Sequence, residues 1–130
     1  MIVVDTSAVL AILFKESEAG AFRAAIEAAE GSMVSAATRV ETAMVIEGRH
    51  GDVGRVLLEA FWRAAEIETA PVTQAQAVIA IEAFRRFGRG RHRAALNLGD
   101  CFAYALAKSI PRPLLYKGQH FAQTDIASAL

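Results

Sequence analysis

The segment IVVDTSA, residues 2–8, decides the fold, because it places an acid directly between a strand and a helix. Its first three residues are β-branched and predict a short buried strand. The next three, Asp-Thr-Ser at 5–7, are all good helix N-caps. Asp5 therefore lies at the carboxyl end of the first strand, the edge at which open parallel sheets collect their ligands. An aspartate here also serves as an ordinary helix cap, so both roles stay open.

Beyond this segment, short apolar runs alternate with longer helical patterns. Further strands are predicted at 33–34, 67–69 and 114–116, and helices at 17–30, 35–50, 52–64, 73–87 and 99–109. Strands that are separated by one or two helices predict a parallel sheet covered on both faces. The sequence thus predicts a single α/β domain over residues 1–130, with three layers in the order α/β/α.

Two of the predicted helices carry clear apolar stripes. The helix at 52–64 has its stripe at Val53, Val56, Leu57, Ala60, Phe61 and Ala64, and the helix at 73–87 has an inner face of Ala77, Ala80, Ile81, Phe84 and Phe87. We expect both stripes to face the core. Trp62 falls beside the first stripe, and we expect it to be partly buried.

The composition excludes several classes of protein. The 130 residues contain 14 Lys and Arg against 14 Asp and Glu, so the formal net charge is zero, which excludes a uniformly basic nucleic-acid coat and a polybasic membrane anchor. The single cysteine, Cys101, cannot form an internal disulfide. The apolar run at 8–14 is far shorter than the roughly 20 residues that span a membrane. We therefore expect a soluble cytoplasmic protein without a membrane partner.

Besides Asp5, three more acids are candidates for a functional site: Glu41, Asp100 and Asp125. Glu41 has apolar neighbours one helical turn away on either side, which is costly for a carboxylate unless a cation compensates it. Asp100 lies in the first turn of its predicted helix and also has mostly apolar neighbours. Asp125 lies beyond the last strand and equally fits a cap, and Asp52 is typical of an ordinary cap. Buried ion pairs and helix caps remain the alternative explanation for each acid.

Carboxylates that converge repel one another and need a cation. Hard oxygen ligands suit Mg²⁺ or Mn²⁺, and the chemistry that this favours is the hydrolysis of phosphodiester bonds.

Four motifs carry a family resemblance. They are IVVDTSA at 2–8, SAATRVE at 35–41, GRGRHRAALNLGDC at 88–101 and PLLYKGQHFAQTDI at 113–126. In this order, and over almost the whole chain, the sequence resembles the PIN-domain ribonucleases, in particular the VapC toxins of type II toxin–antitoxin pairs. The resemblance implies a PIN-like fold and a toxic endoribonuclease that depends on Mg²⁺ or Mn²⁺.

The resemblance also implies roles for the acids. Asp5 and Asp100 would be the metal ligands, and Glu41 would complete an acidic triad as a ligand or as a base that orients water. A hydroxyl of the Thr-Ser pair at 6–7 would face the metal. Many relatives have an aspartate where this chain has His120, so the fourth acid would be Asp125 or would be absent.

The implied partners are RNA, a cognate antitoxin and a second copy of the chain. The antitoxin of such a pair is itself the DNA-binding protein, so we expect no direct DNA binding by this chain alone. Two alternatives stay open, a PIN-like module that only binds RNA or protein and a receiver-type phospho-acceptor domain. The receiver alternative is weaker because no aspartate follows the predicted strand at 67–69.

An arginine-rich, acid-free segment precedes Asp100. Arg89, Arg91 and Arg93 lie in a glycine-punctuated loop, and planar guanidinium groups suit phosphate oxygens. We interpret this loop as a contact for the RNA backbone, with a solvated loop as the alternative. The pair at 85–86 ends a helix, where arginines are favoured in any case.

Overall fold

The computed structural model describes all 130 residues and contains four short strands in one parallel sheet. In chain order the strands are β1 (Ile2–Val4), β2 (Ser32–Ser35), β3 (Glu68–Ala70) and β4 (Leu114–Leu115). Their order across the sheet is β3-β2-β1-β4. The first strand therefore lies in the interior of the sheet, with a neighbour on each side.

Five helices connect and cover these strands. They are α1 (Thr6–Leu13), α2 (Ala19–Ala28), α3 (Ala36–Ala64), α4 (Gln74–Phe87) and α5 (Leu98–Ser109), and a short 3-10 turn follows at Phe121–Gln123. None of the helices combines the length and the hydropathy that a membrane span requires.

Two apolar clusters fill the space on opposite faces of the sheet. Val4 packs with residues of α1, α2 and α3, whereas Val3 packs with residues of α4 and α5. Successive side chains of a strand point to opposite faces, so a run of β-branched residues such as β1 supplies both clusters. The predicted three-layer α/β/α fold with a central parallel sheet is confirmed.

The predicted helices at 35–50 and 52–64 form one long element with a kink. Gly51 has a left-handed φ of 57° inside α3, which separates the element into two helical halves. The two halves approach closely at Gly54, where a Cβ atom would lie 2.7 Å from the side chain of Ile46. Glycine is therefore required at both positions for different reasons, a backbone conformation at Gly51 and a close approach at Gly54.

The predicted core face of the second half of α3 is wrong except at Phe61. Val53, Val56 and Leu57 are 71%, 56% and 55% exposed. The residues that this half buries are Gly54, Leu58, Phe61 and Trp62. Of the six residues of the predicted stripe only Phe61 is buried, so the face that packs on the sheet is rotated away from the predicted one. Trp62 is fully buried rather than partly buried.

Helix α4 departs from its predicted inner face in the same way. Ala80 and Phe87 are buried as predicted, but Ile81 and Phe84 are 52% and 41% exposed. These two side chains line an apolar groove between α4 and α5 with a volume of about 500 Å³.

Candidate active site

A polar pocket of about 370 Å³ opens where β1 and β4 end and where α3 and α5 begin. Asp5, Glu41 and Asp100 all line it, although 36 and 59 positions separate them along the chain. We call it the acidic pocket; its lining also includes Thr6, Ser7, Arg49, Asn97, Lys117 and His120. The structure thus brings together three of the four acids that the sequence singled out.

Asp5 is a buried carboxylate with one unpaired oxygen. Its residue is 3% exposed, and its Oδ2 accepts hydrogen bonds from the Ser7 backbone N–H at 3.0 Å and from the Ser7 hydroxyl at 2.6 Å. Its Oδ1 is buried and has no hydrogen-bond partner. Burial raises the pKa of Asp5 from 3.8 to about 7, with smaller contributions from Asp100 and Glu41 and partial opposition from the two bonds to Ser7.

Asp5 is held by both neighbouring elements. Its backbone N–H donates to the Leu115 carbonyl of β4, and its side chain caps α1 through the Ser7 N–H. The Ser7 hydroxyl in turn accepts a hydrogen bond from the Lys117 backbone N–H at 2.9 Å. This chain of hydrogen bonds ties Asp5 to the segment that follows β4. The same side chain therefore caps α1 and lines the acidic pocket.

Glu41 projects into the same pocket from the first half of α3. The Thr6 hydroxyl donates to its Oε1 at 2.6 Å, and the Thr6 hydroxyl also lies 2.9 Å from that of Thr42. Burial, together with Asp100, raises the pKa of Glu41 against the opposing effect of the Thr6 bond. Its partner is therefore a hydroxyl, and not Arg39 or Arg49 as the ion-pair alternative required.

A glycine makes room for the Glu41 carboxylate. A Cβ atom at Gly99, in the first turn of α5, would lie 1.8 Å from Oε2 of Glu41. Any side chain at this position would displace the carboxylate. Gly99 lies in the motif GRGRHRAALNLGDC, but nothing in the local sequence shows which side chain it approaches.

Asp100 lies in the first turn of α5 and forms a reciprocal cap with Asn97. Its backbone N–H donates to Asn97 Oδ1 at 2.8 Å, and its Oδ2 accepts from the Asn97 N–H at 3.1 Å. Such a capping box fixes both residues at the helix N-terminus, where the dipole favours an anion. The same Oδ2 lies 3.0 Å from Nδ1 of His120. Asp100 therefore caps its helix and lines the acidic pocket at the same time.

Two cations line the acidic pocket. The Lys117 ammonium pairs with Glu16 and with Glu18 in the connection between α1 and α2, and these carboxylates raise its pKa. Arg49 lies two turns along α3 from Glu41 and forms no ion pair with an acid, and its guanidinium stacks 5.8 Å from the Phe14 ring. The three acids of the pocket are therefore only partly neutralised by the protein.

The structure places Asp125 outside the acidic pocket, which corrects its assignment as the fourth acid. Its Oδ1 accepts a hydrogen bond from the Tyr104 hydroxyl at 2.6 Å, and its Oδ2 pairs with Lys108 at 3.0 Å and with Arg86 at 3.6 Å. Burial alone would raise the pKa of Asp125, but these three partners lower it. Asp125 therefore fastens the C-terminal segment to α4 and α5.

The arginine loop borders the site without lining it. Arg89 lines the neighbouring apolar groove, and Arg91 stacks over Phe84 at 5.0 Å. Arg93 is exposed, and none of the three arginines forms an ion pair. Asn97 lines both the groove and the acidic pocket, so the loop lies beside the site.

The oxygen donors suit a hard divalent cation. As the side chains stand, no three Asp, Glu, His or Cys side chains are arranged to hold one ion together. Mg²⁺ and its analogues commonly bind through one or two carboxylates and keep several waters, so a cage of three is not required. The buried Oδ1 of Asp5, which lacks any partner within the protein, is the observation that fits a cation.

Comparisons with known proteins agree with this fold. The PIN domain family matches residues 2–127. Ribonuclease VapC30 of Mycobacterium tuberculosis is 47% identical over 126 residues, which cover 97% of this chain and 96% of the relative. Ribonuclease VapC of Mycolicibacterium smegmatis is 45% identical, with 97% and 98% of the two chains covered.

Two solved structures share the fold at low identity. VapC20 of M. tuberculosis, described as a toxin that cleaves the sarcin–ricin loop, superimposes with a TM-score of 0.77 at 18% identity over 98% of this chain and 97% of its own. A toxin–antitoxin complex from Klebsiella pneumoniae gives a TM-score of 0.69 at 17% identity, with 100% and 98% covered. With a family model that spans nearly every residue and relatives of almost half identity, this chain belongs to the VapC ribonucleases of the PIN-domain family.

Proposed function

We propose that the protein is the toxin of a type II toxin–antitoxin pair and that it cuts RNA as an endoribonuclease dependent on Mg²⁺ or Mn²⁺. The observation that carries this proposal is the buried, unpaired Oδ1 of Asp5 in a pocket that it shares with Glu41 and Asp100. A fold without such a function would not retain a buried carboxylate with an unpaired oxygen, because the arrangement costs stability.

The three acids have different tasks. Asp5 and Asp100 would hold the cation, because Asp5 offers a free buried oxygen and Asp100 is fixed by its capping box. A divalent ion bound there would supply charge stabilisation at the phosphate and would make a water molecule a stronger nucleophile. Glu41, held by Thr6 and with a raised pKa, accepts a hydrogen bond from the attacking water and orients it.

The RNA backbone is held by cations around the acids. Arg49 lines the pocket with its guanidinium free of any carboxylate, and it contacts phosphate oxygens next to the cut. Arg89, Arg91 and Arg93 extend this positive surface beyond the groove. Contacts of this kind position a strand without reading its sequence.

The partners follow from the family and from exposed apolar residues. A toxin needs an antitoxin that covers its site, and the protein exposes Met44, Val53 and Leu57 along α3 and Leu98 at the start of α5. Exposed apolar side chains of this kind suit a protein–protein interface. We assign these faces to the cognate antitoxin and to a second copy of the chain, and the RNA target places the activity in the cytoplasm.

The test is cleavage of RNA by the purified protein and by two matched variants. We expect cleavage with Mg²⁺ or Mn²⁺, none with EDTA, and a loss of at least about 100-fold in Asp5→Asn and in Asp100→Asn. Asp52→Asn, which changes an exposed carboxylate outside the pocket, should cleave like the wild type. Thermal unfolding of each variant checks that the fold is retained.

Undiminished cleavage by both folded pocket variants would refute the proposed site. Metal-independent binding of RNA without any cleavage would instead support the alternative of a PIN-like module that only binds. The receiver-type alternative has no support, since β3 ends at Ala70 without an acceptor aspartate and the chain belongs to another family.

A further inference from the structure

His120 lines the acidic pocket and lies on a segment whose backbone is fixed. Three residues before it, the Lys117 backbone N–H donates to the Ser7 hydroxyl. Directly after it, Phe121 is 2% exposed and packs its ring 5.2 Å from that of Tyr116. The imidazole is therefore placed by its neighbours in the chain, although the side chain itself is 53% exposed.

The distance between His120 and Asp100 is that of two ligands of one ion. Nδ1 of His120 lies 3.0 Å from Oδ2 of Asp100. Two adjacent ligands of an octahedral ion with bonds of about 2.1 Å lie about 3 Å apart. A cation can therefore take the place of the proton between these two atoms with little movement of either side chain.

The charge around this pair favours a cation over a proton. The pocket contains three carboxylates, of Asp5, Glu41 and Asp100, and one guanidinium, of Arg49. Its other cation, the Lys117 ammonium, is already paired with Glu16 and Glu18. A neutral imidazole adds a donor atom to this site without adding another negative charge. It therefore avoids the repulsion that a fourth carboxylate would bring.

We propose that His120 is a nitrogen ligand of the divalent-cation site, next to Asp100, and that it shifts the preference of the site from Mg²⁺ toward Mn²⁺ and later transition metals. Mg²⁺ binds almost only to oxygen, whereas imidazole suits transition metals, and their affinity for it rises along the series from Mn²⁺ to Cu²⁺. The inference rests on the proposed metal-dependent function and deepens it by naming a donor.

Pulsed electron paramagnetic resonance of bound Mn²⁺ tests the bond directly, without RNA and without an activity readout. The protein must be the full chain without a histidine tag. We expect nitrogen coupling to Mn²⁺ in the wild type and its loss in His120→Asp, which keeps an oxygen ligand. The ratio of Mn²⁺ to Mg²⁺ affinity should fall about tenfold in the same variant.

The other two histidines provide the control. His50 contacts Phe14 and His92 contacts Phe87, and neither lines the acidic pocket. In a double variant, His50→Gln with His92→Gln, His120 is the only imidazole, and the coupling should persist there. This variant keeps the test valid even if His120→Asp does not fold.

The outcomes separate this inference from the proposed function. Tight Mn²⁺ binding without nitrogen coupling in the wild type, or coupling that persists in His120→Asp, overturns the role of His120 and leaves the metal-dependent ribonuclease in place. No binding of Mn²⁺ or Mg²⁺ by the wild type overturns both.

Discussion

Replacing Asp5 with asparagine should stabilise the metal-free protein while it removes the proposed activity. Asp5 is 3% exposed, one of its oxygens has no partner, and its pKa is raised to about 7. Above about pH 7 the folded protein therefore carries a buried ionised carboxylate that would be more stable in water. Asparagine has the same shape and no charge.

The magnitude follows from the raised pKa. A rise from 3.8 to about 7 corresponds to a cost of ionisation in the folded state on the order of 4 kcal/mol. Asparagine removes this cost of ionisation, but it also loses some stabilising interactions. Its hydrogen bonds from Ser7 are weaker, and its amide N–H groups lie where Oδ1 has no partner, at a cost of roughly 1–3 kcal/mol. We expect a net gain of about 1–3 kcal/mol in the free energy of unfolding.

The gain should depend on pH in a defined direction. The folded-state pKa lies above the unfolded value, so the folded protein binds the proton more tightly between about pH 4 and pH 7. Wild-type stability therefore falls as the pH rises through this range and then levels off. The advantage of Asp5→Asn should be largest at pH 8 and should shrink toward pH 4.

Urea unfolding in EDTA at pH 8, 6 and 4.5 measures this difference. Asp52→Asn is the matched control, because Asp52 is exposed and makes only a surface ion pair with Arg55 at 3.5 Å. It should change stability by less than about 1 kcal/mol at each pH. A variant Asp5→Asn that is less stable than the wild type at pH 8, or a gain that is the same at all three pH values, would refute the reasoning.

Three further predictions concern the surroundings of the acids. Gly99→Ala should lose most RNA cleavage because its methyl group displaces the Glu41 carboxylate. The control is Gly48→Ala, whose methyl group meets open space, and both variants should have the same stability of the fold. Equal RNA cleavage by the two variants would contradict this role of Gly99. Asp125→Asn should lower the free energy of unfolding by about 1 kcal/mol at pH 7, allowing for the screening of a partly exposed carboxylate, and should retain cleavage. Since its partners lower the pKa of Asp125, this loss should shrink as the pH falls through that pKa, and urea unfolding from pH 7 to pH 3 checks it. Replacing the three loop arginines, Arg89, Arg91 and Arg93, with glutamine should flatten the dependence of RNA binding on salt concentration, as measured by filter binding. An unchanged salt dependence would mean that the loop does not contact the RNA backbone.

The part of the site that sequence analysis predicts well is the part built from local signals. An acid at the end of a strand and an acid in the first turn of a helix are visible in a few neighbouring residues, as for Asp5 and Asp100. The packing around Glu41 is not local, since Thr6 lies 35 positions away and Gly99 lies 58 positions away. Only the folded chain shows that Thr6 donates a hydrogen bond to the Glu41 carboxylate and that Gly99 leaves space for it.

Asp125 and the second half of α3 show two other limits. The local sequence of Asp125 fits a site acid and a cap equally well, and its cationic and phenolic partners lie on helices that precede it in the chain. In α3, the apolar residues at 53–64 occupy enough positions to form more than one stripe. The structure buries the face that carries Gly54, Leu58, Phe61 and Trp62, and the close approach of Gly54 to Ile46 lies on this face.

Mapping of new RNA ends tests the central claim most directly. Total cellular RNA is incubated with the wild-type protein in EDTA, in EDTA followed by excess Mn²⁺, and with Asp100→Asn in Mn²⁺. The account predicts discrete new ends only in the wild-type sample that receives Mn²⁺. The same ends in EDTA or with Asp100→Asn, or no new ends in any sample, would contradict a ribonuclease built on Asp5, Glu41 and Asp100.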